Sequence, residues 1–576
     1  MKTRLNFVLI TLALLLLAFL LTYRSDRSNS DAYPKMAANF IKCTSPKFLL
    51  EDIDTTRQIS PLFENLGNHN FNIKTNSKKS QTFFNQGLRL TYAFNHAEAH
   101  RSFMEASRLD PNSAMTYWGQ AYALGPNIND PFPDDERKKK AYQAGQKAKK
   151  LAAGSSAREQ ALIGALSKRY HADPATDIAE LNTAYMEAMA EVAANYPNDA
   201  DIQTLYAAAV MNTMPWNYWD NEGNPAPNTP AAKKALEKAI SLNPDHPGAH
   251  HYYIHMVELP KPDLAVPSAE RLGGLMPAAG HLVHMPSHIF IRVGRYKDAV
   301  KANQDAILAD EDYISQCYSQ GMYPLGYYPH NIHFLWSASS LLGDSKTAIE
   351  AAKKTAEKVP ISELDELHFL QDFASTPMLA YTRFGKWNQI LTIPYPGDEL
   401  KHLKLIWHYA RGIAFLRKDN LKEAEEELAA IIQMKSDPEL ENIIANYTNP
   451  SSSIAKVAHE VLAGEIEAYN GNLTTAISHL EKAIAAEDQL VYSEPAAWHI
   501  PARQTLGAVL LKAKKFKEAE KVYKEDLAVI RQNGWSLMGL YHSLMGQGKT
   551  EEAKKIKAEF KEAWKHADME INGSVL

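Results

Sequence analysis

The sequence predicts an all-α protein built from repeated pairs of helices. From Gln81 onward, apolar residues recur at helical spacing with almost no β-type alternation, and alanine is abundant. Small residues also recur at fixed distances from one another, which is the signature of a repeat array. The chain has 576 residues, of which 45% are hydrophobic and 22% charged, so such an array can bury a substantial core.

The clearest repeat unit follows Gly87. Ala99, Phe103, Ala106 and Pro111 stand 12, 16, 19 and 24 residues after this glycine. The spacing resembles the tetratricopeptide (TPR) repeat, with small residues where two helices cross, an aromatic residue in the second helix and a proline after it. The resemblance implies helix pairs stacked into a right-handed superhelix. Its concave groove is lined mainly by the first helix of each pair.

Degenerate copies of this unit extend the resemblance over most of residues 80–565, with about nine partial repeats in all. These copies are recognised by small and aromatic residues at the equivalent positions: Ala232, Ala239, Gly294, Tyr296, Gly343, Ala348, Gly385, Trp387, Gly412, Ala424, Gly464, Ala476, Gly507, Tyr523, Gly548 and Ala553. We therefore predict three groups of repeats: N-terminal over 80–230, central and histidine-rich over 231–400, and C-terminal over 401–576, ending in a capping helix.

The N-terminus predicts a membrane anchor. Lys2 and Arg4 precede residues 5–23, which carry no charge, and Arg24 follows. About 20 apolar residues cross a bilayer, and no clear cleavage site follows, so residues 1–24 are interpreted as an uncleaved signal anchor. The bulk of the chain would then be exported, or secreted if the segment is cleaved. Polar residues 25–79 are interpreted as a partly ordered tether.

Charge and cysteine content exclude several classes of protein. The net charge of −5 and the interspersed charges give no electrostatic footprint for nucleic acid. Cys43 and Cys317 are the only cysteines and form no CxxC motif, so the sequence supports neither a disulfide framework nor a thiolate metal site; whether the two pair is left open. Phosphate-loop, nucleophile-elbow, HExxH and dinucleotide-binding motifs are absent.

Histidines concentrate in three stretches, HHYYIHMVE (250–258), GHLVHMPSHIF (280–290) and YYPHNIHFLW (327–336), each at the start of a repeat. In a TPR-type pair, the groove-facing positions of the first helix follow an i, i+3, i+7, i+10 stripe. Seven of the twelve stripe positions in these repeats are histidine, although only 21 of 576 residues are. The stripe holds His251, His255, Glu258, His281, His284, His288, His330 and His333. His250 falls off it and is predicted to pack between helices.

This spacing predicts a metal site on the central repeats. Imidazoles three or four residues apart on one helix can turn toward one ion, and Glu258 adds a carboxylate one turn from His255. Nitrogen and oxygen donors without thiolate admit zinc, iron, copper or manganese, and eight donors are enough for two sites. Tyr252, Tyr253, Tyr327 and Tyr328 are candidate partners that orient the imidazoles.

Other features carry two interpretations. The insertions at 214–230 and 307–328 are tolerated surface loops or caps that restrict access to the groove. Glu494, Trp498, His499 and Arg503 form an inter-repeat connection or a second polar site reached across the superhelix. His368 stands near Asp372, which is a candidate carboxylate ligand from the next repeat.

Three functions fit these observations. The first is a membrane-anchored scaffold that binds a protein, peptide or small-molecule ligand in its groove and carries the metal site there. The second is a metalloenzyme for hydrolytic or oxidative chemistry on the same scaffold, with Glu258 as a ligand or general base. The third is a metal-free groove that holds a peptide through its imidazoles. We rank the scaffold narrowly above the enzyme because TPR arrays are overwhelmingly interaction scaffolds, an argument from fold-level analogy.

Overall fold

A computed structural model describes residues 56–220, 223–316, 323–445 and 448–576. The predicted anchor over 1–24, most of the predicted tether, Cys43 and Cys317 lie outside the described residues. None of the helices in the described ranges is long and apolar enough to cross a bilayer.

The described residues form an all-α solenoid in which consecutive helices pack against each other as hairpins, as the apolar spacing predicts. Helices α1 to α8 of the N-terminal part are Lys78–Tyr92, His96–Leu109, Ala114–Leu124, Asp135–Leu151, Ala157–Leu166, Ile178–Asn195, Ala200–Met211 and Thr229–Leu242. Helices α9 to α17 of the central part are Pro247–Val257, Val266–Leu272, Gly280–His284, Pro286–Arg292, Tyr296–Gln316, Tyr328–Leu342, Ser345–Glu357, Leu370–Arg383 and Trp387–Thr392. Helices α18 to α25 of the C-terminal part are Lys401–Arg417, Leu421–Lys435, Ser451–Tyr469, Leu473–Glu487, Ala502–Lys512, Phe516–Val529, Gly534–Gly546 and Thr550–Ala563.

Short elements join some of these helices. A π-helical turn at Tyr323–Tyr327 leads into α14, and 3-10 turns lie at Ala152–Gly154, Pro262–Ala265, Ile361–Glu363 and Pro438–Glu441. In the described residues, β1 (Ile444–Ala445) and β2 (Asn449–Pro450) pair antiparallel as a two-stranded sheet.

The small and aromatic residues of the repeat pattern pack where helices cross. A Cβ atom added to Gly87 of α1 or to Gly119 of α3 would lie within 2.8 Å of the ring of Phe103 on α2. Gly507 and Gly539 make the same close approach to Tyr523 on α23. One buried ring between two glycines therefore sets how closely three consecutive helices stack, at both ends of the array.

Gly119→Ala is expected to destabilise the first repeats by about 1–3 kcal/mol, because its Cβ would overlap the Phe103 ring inside a packed core. The matched control is Gly164→Ala in α5, where an added Cβ meets nothing within 4 Å and the helix gains about 0.5–1 kcal/mol. Thermal unfolding of both variants measures the difference. Equal unfolding midpoints of the two variants would show that the Phe103 ring moves to accommodate the added methyl group without a measurable loss of stability.

The C-terminal repeats return to contact the central ones. Trp535 Nε1 donates to the Ser340 carbonyl at 3.1 Å, and Tyr296 Oη donates to the Arg531 carbonyl at 2.5 Å. Trp564, after α25, packs against Gly343, and the Asp568 carboxylate accepts from the backbone N–H of Ser345 and of Lys346. The end of the array, predicted only as a cap, therefore also closes onto the middle of the chain.

The non-helical segment before α1 packs along the first hairpin. Ser60 Oγ donates to Glu98 Oε1 at 2.6 Å, and the Phe71 N–H donates to Asn85 Oδ1 at 3.1 Å. The Asn65 carbonyl accepts from the Ala278 N–H at 3.1 Å, just before the second histidine stretch. This segment thus links the first repeat to the central repeats.

Candidate metal centre

The three histidine stretches lie on α9, on the consecutive helices α11 and α12, and on α14, as the repeat register predicts. The second stretch is divided at Pro286, which lacks an N–H and begins α12. Met285 keeps helical dihedrals at this junction (φ −50°, ψ −36°), so the chain continues almost in line. His284 and His288 therefore face the same side although they belong to two helices.

The side chains form two groups of three imidazoles. His251, His255 and His281 make up the first group, and His284, His288 and His330 make up the second. In each group, one potential ligand atom per residue lies within 4.8 Å of the others. Glu258 joins His255 and His288 in a third such set, so its carboxylate stands between the two groups.

In the first group, two ring nitrogens face each other. His251 Nδ1 donates to the Tyr92 carbonyl at 2.6 Å, which leaves a lone pair on Nε2. This Nε2 lies 3.2 Å from His281 Nε2. Nitrogens bound to one tetrahedral zinc ion at about 2.0–2.1 Å are about 3.3 Å apart, so the spacing matches that of two ligands on one ion.

In the second group, two ring nitrogens again face each other, and the side-chain amide of Asn303 fixes the tautomer of His284. Asn303 Nδ2 donates to the Ala299 carbonyl, which turns Oδ1 toward His284 Nδ1 at 2.6 Å. His284 Nδ1 therefore carries the proton, and its Nε2 lone pair faces His288 Nε2 at 2.8 Å. A hydrogen-bonded imidazole that presents its other nitrogen is typical of metal-ligating histidine.

Two carboxylates meet at His288. Its Nδ1 lies 2.8 Å from Glu258 Oε2 and 2.9 Å from Glu494 Oε2, which comes from the loop between α21 and α22. Burial alone would lower the pKa of His288, but the Glu258 and Glu494 carboxylates raise it to about 10. The protein without metal therefore holds an imidazolium here, and an ion bound at Nε2 replaces one proton.

The other imidazoles of the two groups are neutral at pH 7. Burial lowers the pKa of five rings well below the usual histidine value: His251, His255, His281, His284 and His330. Neutral imidazole is the form that binds metal. Two buried imidazole nitrogens also lack a hydrogen-bond partner: His255 Nε2 and His281 Nδ1. Such orphaned atoms are rare in proteins, and ion coordination would satisfy those that face the ion.

Aromatic rings enclose the centre. Phe94, in the turn after α1, lies 4.5 Å from the His251 ring and 5.4 Å from the His281 ring, and Phe334 lies 4.9 Å from His284. Trp216 of the first insertion and Tyr327 of the second contact His255 and His281 at 4.9 and 4.8 Å. Each insertion therefore contributes one ring that contacts a histidine of the centre.

Two of these aromatic residues have left-handed backbone conformations. Phe94 has φ 55° and Trp216 has φ 62°, a region that costs a bulky residue about 1 kcal/mol or more. Asp419 and Lys514 have the same conformation in the turns after α18 and α22, so that of Phe94 belongs to the turn of the repeat. Nothing in the sequence indicated Phe94, because its role depends on a contact with residues more than 150 positions away.

Some predicted residues lie elsewhere. His333 stacks on Trp336 at 4.8 Å and lies outside both groups of three. Asp372 approaches His402 at 3.7 Å rather than the centre. His250 bonds to Ser268 and to the Pro244 carbonyl, between helices as predicted.

The hydrogen bonds that orient the imidazoles come from groups other than the predicted tyrosine hydroxyls. Tyr253 and Tyr328 donate to Glu237 and Glu311, whereas the Tyr92 carbonyl and Asn303 orient the imidazoles. Of the second polar set, Glu494 does reach across to the centre, while Trp498 packs on Tyr409, His499 on Trp336, and Arg503 pairs with Asp488.

A further cluster of His69, Asp201 and His246 was not predicted, and its hydrogen bonds account for it without a metal. His246 Nδ1 accepts from the Ala249 N–H, so its Nε2 carries a proton and faces Asp201 Oδ1 at 3.2 Å. His69 Nε2 lies 2.8 Å from the same oxygen, and Arg158 pairs with the other at 3.4 Å. The cluster caps α9 and holds the first repeats to the central ones.

No protein-family model matches the chain. No curated protein matches its sequence. Among solved structures, a monomeric IFIT1 variant with Gppp-AAAA is 14% identical, with 78% of this chain and 90% of that chain covered and a TM-score of 0.33. The Cut9–Hcn1 hetero-tetramer of the APC/C is 12% identical over 84% and 87% (TM-score 0.29), and yeast Tom70 is 13% identical over 84% and 93% (TM-score 0.29). These scores carry no functional argument, so the fold assignment rests on the helix pairs themselves.

Proposed function

We propose that this chain is a helical-repeat protein whose central repeats bind two divalent transition-metal ions. His251, His255 and His281 would hold one ion, and His284, His288 and His330 the other, with Glu258 between them. The observation that carries the proposal is the pair of Nε2 atoms of His251 and His281, 3.2 Å apart, with the His251 lone pair directed at its neighbour because Nδ1 donates to the Tyr92 carbonyl.

Metal content measures this directly. The full chain, stripped with a chelator and loaded separately with zinc, manganese, copper and ferrous iron, is expected to retain two ions per chain for at least one metal after desalting. Nitrogen and carboxylate ligands without thiolate suit all four. Retention of less than one ion per chain for every metal would contradict the proposal and favour the metal-free, peptide-binding alternative.

A catalytic role is the second candidate, and a cavity favours it. A space of about 290 Å³ borders Arg292, one turn beyond His288, and Glu494, the carboxylate that contacts His288. A small molecule in this cavity would meet the Glu494 carboxylate, which contacts His288 of the second group. Bound there, the ions would polarise a substrate or activate water or dioxygen.

In that case Glu494 is better placed than Glu258 to move protons. The Glu258 side chain is 2% exposed and lies between two imidazoles, which suits a ligand. Glu494 lines the cavity, and burial raises its pKa to about 7, near the value that a general base needs.

The proposal keeps the membrane anchor over residues 1–24, an exported body and the absence of nucleic-acid partners, all on the sequence arguments given above. Membrane fractionation of cells that express the full chain tests the anchor, and recovery in the soluble fraction is the contrary result.

A further inference from the structure

The cavity beside the candidate metal centre has walls from distant parts of the chain. Phe334, Ser337 and Leu341 of α14 line one side, and residues 487–503 and 526–530 of the C-terminal repeats line the other. Its volume of about 290 Å³ is at the lower end of the range for small-molecule sites, about 300–1,000 Å³. The return of the C-terminal repeats onto the central ones creates it.

One buried cation lines this cavity. Arg383, at the end of α16, is 3% exposed, and its guanidinium lies 3.7 Å from the centroid of the Trp535 ring. Its Nη1 donates to Gln504 Oε1 at 2.9 Å. Among the residues that the structure describes, no carboxylate forms an ion pair with it. Burial accordingly lowers the pKa of Arg383 to about 9.

The acidic residues of the cavity are engaged with other partners. Asp488 is paired through both oxygens with Arg503, and Glu494 faces His288. Asp526 accepts hydrogen bonds from Ser536, Gln504 and Asn533. Glu487 accepts from the Ala502 N–H, and burial raises its pKa to about 8, so it is largely protonated at pH 7.

A second buried arginine, Arg169, provides a comparison with Arg383. Arg169 is 1% exposed and also has no ion pair among the described residues, but its guanidinium bonds to Asn182 and to the Pro126 carbonyl. Arg169 does not line the cavity described above, and protein atoms accept the hydrogen bonds that its guanidinium donates. Arg383 instead borders open space, where an anion can approach its planar donor fork.

We propose that this cavity binds a small organic monocarboxylate, with Arg383 as the anchor for the carboxylate. Phe334, Leu341 and Ile530 provide apolar wall for a short hydrocarbon chain. A singly charged anion fits better than a phosphate because the carboxylates of Glu494 and Asp526 also border the cavity. The other lining arginine without an ion pair among the described residues, Arg292, donates to the Leu259 carbonyl at 3.1 Å. The further step, that this molecule is the substrate or ligand of the metal centre, rests on the proposed function.

Calorimetric titration of the full chain with hexanoate, and with the neutral isostere hexanamide, tests the proposal. Hexanoate is expected to bind, and hexanamide to bind about 10- to 100-fold more weakly, the effect of losing hydrogen bonds to a charged group. Arg383→Met should weaken hexanoate binding by a similar factor. Arg383→Lys should weaken it less, because lysine keeps the positive charge but lacks the planar set of guanidinium donors. Equal binding of acid and amide, no binding of hexanoate, or tighter binding of inorganic phosphate would overturn the proposal.

Two further variants separate binding from folding. Ser337→Leu fills the cavity while Arg383 stays in place, and it is expected to abolish hexanoate binding. Arg271→Met removes an arginine that is paired with Asp245 away from the cavity, and binding should change less than threefold; a larger loss there than in Arg383→Met would refute the anchor. The metal content of the same samples distinguishes the two proposals. If the chain binds hexanoate but retains no metal, the anion site is supported and the metal centre is contradicted.

Discussion

The double variant His255→Ala/His284→Ala is expected to lose both ions. Each substitution removes one imidazole from a different group of three and leaves only two imidazoles for that ion. Loss of a residue that merely orients a ligand already costs about 10- to 100-fold in metal affinity, so loss of a ligand should cost at least about 100-fold at each site. Metal analysis after desalting should give less than 0.2 ions per chain, roughly the residue of sites weakened by this factor.

The matched control is His250→Ala. His250 belongs to the same stretch and is also buried, but its nitrogens bond to Ser268 and to the Pro244 carbonyl, away from the centre. It should retain the metal content of the unmodified chain. Each single variant, His255→Ala or His284→Ala, should retain about one ion, since the other group is intact. Equal metal content in the double variant and the unmodified chain would show that the imidazoles do not hold the metal.

Local spacing predicts the parts of this centre that stand four residues apart. His251 and His255 share α9, and His284 and His288 keep helical spacing across the α11–α12 junction because Met285 has helical dihedrals; the repeat register brings these helices side by side. His333 shows where the register fails. It stands three residues after His330, which is about 60° short of a full turn and about 4.5 Å farther along α14, so it points past the cluster to Trp336.

The remaining parts of the centre come from long-range contacts that no local pattern encodes. Glu494 reaches His288 because the C-terminal repeats close onto the central ones through contacts such as Trp535 with Ser340 and Trp564 with Gly343. A degenerate repeat predicts that helices stack, but the small rotation between successive pairs sets where the array returns. The same closure supplies one wall of the cavity beside the candidate metal centre.

Burial of the proposed ligands changes how the three sequence-based functions compare. A peptide held along an open groove needs exposed side chains, yet the six proposed ligands other than His330 are buried: His251, His255, Glu258, His281, His284 and His288. A buried cluster of imidazoles and carboxylates with orphaned atoms is costly unless something satisfies it. Stability measurements can therefore separate a metal centre from a structural hydrogen-bond network.

His255→Leu is expected to leave the metal-free protein as stable as the unmodified chain, or more stable by about 1 kcal/mol. His255 Nε2 is buried without a partner, its Nδ1 lies a long 3.3 Å from Glu258, and the rings of Phe94 and Trp216 surround it. Leucine replaces an unsatisfied polar group with an apolar one of similar size, which is often neutral or stabilising. Metal should raise the unfolding midpoint of this variant less than that of the unmodified chain, which gains about 4 kcal/mol per bound ion at 1,000 times the dissociation constant.

His250→Leu provides the contrast in the metal-free protein. It leaves Ser268 and the Pro244 carbonyl without their buried partner, so it is expected to lose about 1–3 kcal/mol while its response to metal is unchanged. Thermal unfolding of the three proteins, with chelator and with the retained metal, measures both effects. If His255→Leu proves the less stable of the two variants without metal, then His255 stabilises the fold through hydrogen bonds and the cluster is structural. The order we expect follows from one difference: His250 has both nitrogens paired by the protein, whereas His255 has one nitrogen left for an ion.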